Sequence, residues 1–151
     1  MTGAEPPALA MARSVCRTLA QLGYASLAEF ALANGRRADI IGLRRNGELI
    51  IVEIKSSLAD FRADRKWPSY KEYADRLYFA VPQEFPSPFI PEDCGLIVAD
   101  AFGAAILRDG VSTSLTAARR RAVTLRFALA AASRLHRRLD PDAALRLPDG
   151  V

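Results

Sequence analysis

The sequence is almost without histidine. His136 stands alone in an arginine-rich stretch, which argues against a histidine-built metal centre, a Ser-His triad or the usual imidazole base. Cysteine is equally sparse. Cys16 and Cys94 lie far apart with no C-x-x-C pattern, so they read as two reduced, buried thiols of a cytoplasmic protein. Neither GxxxxGK[ST] nor GxGxxG occurs, which removes the common phosphate-cradling loops. No apolar run approaches bilayer-spanning length, so a membrane partner is not expected. The N-terminus, MTGAEPPALAMARSV, has an early acid and no apolar stretch, and a secretory signal is not expected either. Lysine is scarce as well: Lys55, Lys66 and Lys71 are the lysines among 21 basic residues, the rest being arginine.

What is present suits one compact domain over residues 1–151, half of them hydrophobic. A net charge of +4 and a pI near 9.4 favour a polyanionic partner. Pro6 and Pro7 introduce a helical pattern over about 8–22, which Gly23 ends. Residues 24–33 precede the turn signal Asn34-Gly35 and are expected as a strand. ADIIGL (38–43) is a second strand and ELIIVEIK (48–55) a third, joined at Arg45-Asn46-Gly47. Ser57, with Asp60 three residues on, opens a crossover helix over 57–75. Pro68 should break that helix near Trp67 and begin a new turn. RLYFAV (76–81) is a fourth strand, followed by a proline-rich loop. A hairpin over 94–109 and a long helix over 116–139 complete the chain, with a tail from Asp140 expected to fray. The fold class is therefore α/β: an αβββαβ core over about 8–81, with a mixed sheet flanked by helices, plus the C-terminal hairpin and long helix.

The third strand carries an internal contradiction. Ile50, Ile51, Val52 and Ile54 are what a buried strand looks like, yet Glu53 and Lys55 interrupt them on a single face. The hairpin decides what they meet. A three-residue loop, Arg45-Asn46-Gly47, with Gly47 left-handed, places Asp39 of the second strand directly opposite Glu53. A two-residue loop would send Glu53 to the other side of the sheet. Two carboxylates so close in a partly dry site need compensation by a proton, the lysine or a cation. A divalent ion such as Mg²⁺ suits this best, because it takes hard oxygen ligands and keeps waters for chemistry. Lys55 beside it could orient a water and offset developing negative charge. Taken alone, the same residues would make a charged ladder on a solvated sheet face.

This constellation resembles the PD-(D/E)XK nuclease superfamily, on Asp39 in RRADIIGL and Glu53-Ile54-Lys55 in VEIK; Ala38 stands where the nominal proline would be. The element order matches its restriction-endonuclease-like core. The run GRRAD…VEIKSS…DF…DRKWPSY…DRLYFAV is more closely similar to the MmcB family of bacterial DNA repair proteins, small members of that superfamily, over about residues 8–140. The resemblance implies Mg²⁺ (Mn²⁺ as a substitute) held by Asp39, Glu53 and the carbonyl of Ile54, with Lys55 serving catalysis. It also implies hydrolysis of DNA phosphodiester bonds at damaged, branched or single-stranded sites. The alternative is a catalytically silent binder of DNA structures that recruits repair-protein partners. RNA stays open as well, since phosphate contacts do not distinguish sugars.

Further residues are candidates for the same site. Glu29 could be another metal ligand, if the Asn34-Gly35 turn also has an odd-length loop; the bland reading is a polar residue on an open face. Arg36 and Arg37 precede Asp39 and could hold a phosphate, or could be a solvated hairpin tip. Lys66 and Tyr70, four apart on the crossover helix, resemble the Gln-x-x-x-Tyr pair of RecB-type nucleases, with lysine at the glutamine position. Trp67 beside them is expected in the core rather than stacked on a base. On the last helix, Arg119, Arg126, Arg134 and Arg137 form one stripe, with Leu125, Leu129, Ala132, Leu135 and Leu139 opposite. The arginines could follow a phosphate backbone or merely solubilise one face; Val123 and Phe127 intrude on them.

Overall fold

The computed structural model describes residues 5–142. Its element order is helix α1 (Pro7–Gln21), strands β1 (Tyr24–Ala31), β2 (Arg37–Arg44) and β3 (Leu49–Ile54), helix α2 (Leu58–Ala63), strand β4 (Arg76–Val81), strands β5 (Gly95–Ala99) and β6 (Ala104–Arg108), and helix α3 (Ala117–Leu139). Short 3₁₀ helices cover Trp67–Glu72 and Ser87–Phe89. The six strands form one sheet in sequence order. β1, β2 and β3 run as an antiparallel meander, β4 and β5 follow parallel to β3, and β6 turns back antiparallel. This is the mixed-sheet, restriction-endonuclease-like α/β core with an added hairpin and long helix that the sequence predicts. The tail expected to fray lies, from residue 143 onward, outside the described residues.

The meander rests on two copies of one turn. At each, an asparagine side chain accepts the N–H two residues on: Asn34 from Arg36, and Asn46 from Glu48, both at 3.0 Å. Gly35 and Gly47 follow with φ of +82° and +90°, the left-handed conformation that only glycine adopts freely. Leu32 N–H donates to Arg36 O, and Arg44 N–H to Glu48 O, closing three-residue loops. β2 and β3 accordingly pair with Ile40 opposite Val52.

Both faces of the sheet are covered, which is why β3 is aliphatic at every position but Glu53. On one side α1 presses Met11, Val15 and Leu19 onto Ile40, Ile50, Val52 and Tyr78. On the other, Ile41, Ile51 and Phe79 meet Phe61, Trp67, Tyr70, Phe85 and α3 residues Val123 and Phe127. Glu53 belongs by alternation to this second face. The crossover departs from the expected helix. Ser57 caps α2 through Asp60 N–H at 3.1 Å, but α2 stops at Ala63, four residues before Trp67. The chain resumes as a 3₁₀ helix with Pro68 in its first turn. Trp67 packs edge-on to Phe79, with ring centroids 5.3 Å apart, as a core residue.

The last helix is turned the opposite way from its hydrophobic pattern. Val123, Phe127 and Ser133 face inward. Arg119 lies over the Tyr73 ring at 4.5 Å, and Arg120 grips Asp75. Arg134 donates to the carbonyls of Ala28 and Glu29. Two members of the arginine stripe, Arg119 and Arg134, are thus engaged within the protein. Leu125, Leu135 and Leu139 point to solvent instead. The inner groups offered to α3 are Phe30, a buried carboxylate and unpaired strand carbonyls, and these select arginine and phenylalanine over leucine.

Candidate functional site

The site forms where β2 and β3 cease to pair. Beyond Ile40 and Val52 the next two residues are Asp39 and Glu53, opposite each other as the three-residue loop requires. Their side chains bridge the strands in place of the ladder. Asp39 N–H donates to Glu53 Oε1 at 3.1 Å, and Ile54 N–H donates to Asp39 Oδ2 at 2.8 Å. Asp39 is half-buried; Glu53 and Lys55 are buried. The core of Ile51 and Phe79 dries one side of Glu53, while Asp39 adds negative charge on another. Burial first, and then that charge, push the Glu53 pKa up to about 9; the Asp39 N–H and the charge of Lys55 offset this only in part.

Lys55 does not bond to either acid of the pair. Its Nζ lies 2.6 Å from Asp64 Oδ2, in a contact largely closed to solvent. Asp64 is the residue at which α2 ends, and its other oxygen accepts Lys66 N–H at 2.8 Å. Burial opposes ionisation of Asp64. The Lys55 hydrogen bond, the Lys66 N–H and the Lys55 charge outweigh it and hold its pKa below the usual carboxylate value. The sequence reading missed Asp64. Its signal was the proline four residues later, which marks a helix ending early enough to return a carboxylate to the strand.

Tyr70 completes the wall. Its ring is buried and its hydroxyl donates to Arg37 O at 3.1 Å, tying the 3₁₀ helix to the entrance of β2. Burial, followed by the charges of Glu53, Asp64 and Asp39, pushes the phenol up to about 12. Lys66 is exposed at the start of the 3₁₀ helix. The expected common face of Lys66 and Tyr70 requires an α-helix; with three residues per turn, positions four apart diverge. Arg36 is half-buried close enough to Tyr70 for its charge to act there, and Arg37 is exposed.

Glu29 also falls across from Asp39 in the β1–β2 register, because the Asn34-Gly35 loop has odd length. Its backbone is left-handed, with φ +50°, and its side chain is exposed 4.0 Å from Arg37. Among the described residues, no group of three or more His, Cys, Asp or Glu side chains is placed to hold a metal ion. The acidic part of the site is a pair, Asp39 and Glu53, not a triad with Glu29. Such a pair fits a Mg²⁺-type ion, which accepts one or two carboxylates and fills its octahedron with carbonyl oxygen and water.

A mixed six-stranded α/β sheet thus carries two acids and a lysine at the end of its central hairpin. The chain matches the family described as DNA repair protein MmcB-like over residues 2–142, and it belongs to that family. Among solved structures, it is similar to the SPO1766 protein of unknown function from Silicibacter pomeroyi. The two are 41% identical with a TM-score of 0.88, over 96% of this chain and 99% of that one. A repair endonuclease from Pyrococcus abyssi aligns at 17% identity and a TM-score of 0.37, over 54% of this chain and 40% of that one, too slight a likeness to argue from. No curated protein matches the chain. No helix among the described residues is long and apolar enough to cross a membrane.

Proposed function

We propose that this member of a DNA repair family is a divalent-metal-dependent nuclease that hydrolyses phosphodiester bonds of damaged or structured DNA. The observation that carries the reading is Glu53: a buried carboxylate facing a second carboxylate, hydrogen-bonded to a backbone N–H and, among the described residues, in no ion pair. Asp39, Glu53 and the Ile54 carbonyl would hold Mg²⁺ or Mn²⁺. Bound there, the ion would supply Lewis-acid polarisation of the scissile phosphate and a more acidic water. The chain's own residues do the rest. Asp64 takes one of the three donors of Lys55 and leaves two for the attacking water or a phosphate oxygen. The ammonium offsets charge that builds on phosphate in the transition state. Tyr70 fixes the Arg37 carbonyl and so holds the strand entrance that presents Asp39. Arg36, Arg37 and exposed Lys66 lie around the opening and would grip phosphates.

The test is cleavage of branched, nicked, single- and double-stranded DNA with Mg²⁺ or Mn²⁺. The expected result is cleavage by the parent and loss of at least a hundredfold in Glu53→Gln and Lys55→Ala. Equal cleavage by parent and variants would place the activity elsewhere. One observation favours a second reading, a binder that recruits repair partners without cutting: the Lys55 ammonium is bonded to Asp64 rather than to either acid of the pair. That reading expects salt-sensitive DNA binding with no heat of Mg²⁺ or Mn²⁺ binding by calorimetry.

A further inference from the structure

Helix α3 presents its most apolar stripe to water. Ala118, Ala122, Leu125, Leu129, Ala132 and Leu139 recur at steps of four and three, with His136 filling the single gap. That is the spacing by which one helix packs along another. Leu125, Leu135 and Leu139 remain 57%, 59% and 78% exposed, because the packed face is the one bearing Val123 and Phe127. The stripe spans 21 residue steps, or about 30 Å along the helix axis. An apolar surface of that length, regular and rimmed by charge, marks an interaction site rather than scattered surface leucines. The alanines leave room for a close approach of a second helix.

Charge identifies the occupant. Every charged side chain of α3 is an arginine. Arg119, Arg120 and Arg134 are engaged by Tyr73, Asp75 and the β1 carbonyls, while exposed Arg121 and half-buried Arg126 flank the apolar stripe on its two sides. A second copy of this helix would bring arginine against arginine with no acid between them, which is repulsive in either orientation. A helix with leucines along one face and acids on its margins meets both requirements. We propose that the outer face of α3 docks an acidic amphipathic helix of a partner protein. The surface is separate from the carboxylate site and does not depend on the nuclease reading.

The test uses the full chain in its native host, with a photo-crosslinking amino acid at exposed Ala132 and, as a control, at exposed Leu107 of β6. The expected result is an adduct from position 132 and not from 107. Its crosslinked peptide should come from another protein and carry leucines at helical spacing flanked by Asp or Glu. Leu125→Glu with Leu139→Glu should cut the yield at least tenfold with helix content unchanged, since both sites are exposed. Arg121→Glu with Arg126→Glu should cut it at least threefold. An adduct to a second copy, a lipid or nucleic acid overturns the proposal. So does the absence of an adduct, a crosslinked peptide without acids, or a yield that ignores these substitutions.

Discussion

Strand β3 is capped at both ends by an aspartate, and the two ends are electrostatic opposites. At its start Leu49 N–H donates to Asp75, and at its end Ile54 N–H donates to Asp39, each at 2.8 Å. Asp75 and Glu53, the buried carboxylates of the two regions, are both 3% exposed. Asp75 also accepts Leu115 N–H and both branches of the Arg120 guanidinium, at 2.7 and 2.6 Å. Burial works against its ionisation, but the Arg120 and backbone hydrogen bonds prevail and hold its pKa below the usual value. Glu53 is as closed to solvent, but burial weighs more heavily on its ionisation; with an acid for a neighbour and no such fork, its pKa rises to about 9. Equal solvent exposure therefore says little about the role of a carboxylate. The partners differ: Asp75 is a completed joint between β3, β4 and α3, whereas Glu53 faces Asp39 with no such ion pair among the described residues.

The sharpest way to break the comparison is to remove each carboxylate. Asp75→Ala leaves Arg120 and two backbone N–H groups without their acceptor. It should cost about 3 kcal/mol in urea denaturation, the lower end of what breaking a buried pair costs, because Arg120 is partly solvated. A loss under about 1 kcal/mol would remove Asp75 from the structural role. Glu53→Gln should do the reverse: in metal-free buffer at pH 8 it should stabilise the fold by about 2 kcal/mol while abolishing cleavage.

The two ends should also differ in pH dependence. A carboxyl whose folded pKa is raised stabilises the fold when protonated. The Glu53 contribution is therefore complete below about 4.5, falls as pH rises, and is gone above about 9. Asp75, with a depressed pKa, contributes above its ordinary value and loses that contribution as acid protonates it. Chelator-treated protein should lose stability between pH 5 and pH 9, and Glu53→Gln should flatten that slope; an unchanged slope in the variant would assign it to another group.

Smaller effects refine the picture. Asp64→Asn keeps the shape around Lys55 but removes the counter-charge, and should lower kcat about tenfold with KM for DNA little changed. A rise in KM alone would make Asp64 a binding residue instead. Gly47→Ala touches both regions, since the Gly47 carbonyl accepts from Arg120 and its φ of +90° sets the β2–β3 register. It should cost about 1 kcal/mol in thermal or urea unfolding, from the left-handed backbone alone.

Much of this was readable in advance because it is local. Asn34-Gly35 and Asn46-Gly47 mark the two turns, and once the structure gives each loop three residues the opposition of Asp39 and Glu53 follows from alternation. Asp64 escaped notice because its contact with Lys55 depends on where α2 stops, and the end of a six-residue helix is settled by packing of Phe61 and Trp67 on Phe79. The Lys66–Tyr70 pairing failed for the same reason, as the segment closed into a 3₁₀ helix over those rings. Glu29 falls across from Asp39, yet its left-handed backbone, with its own carbonyl and that of Ala28 bound by Arg134, leaves the side chain at Arg37.

Helix α3 draws the line most clearly. Its existence, length and amphipathic character were determined by the sequence, because helical periodicity is a property of consecutive residues. Which face turned inward was decided by the tertiary structure alone. The sheet offered Phe30, the Tyr73 ring, the Asp75 carboxylate and the carbonyls of Ala28 and Glu29. A buried charge left unpaired costs more than three exposed leucines, so the arginine and phenylalanine face was drawn in and the leucines were left in water.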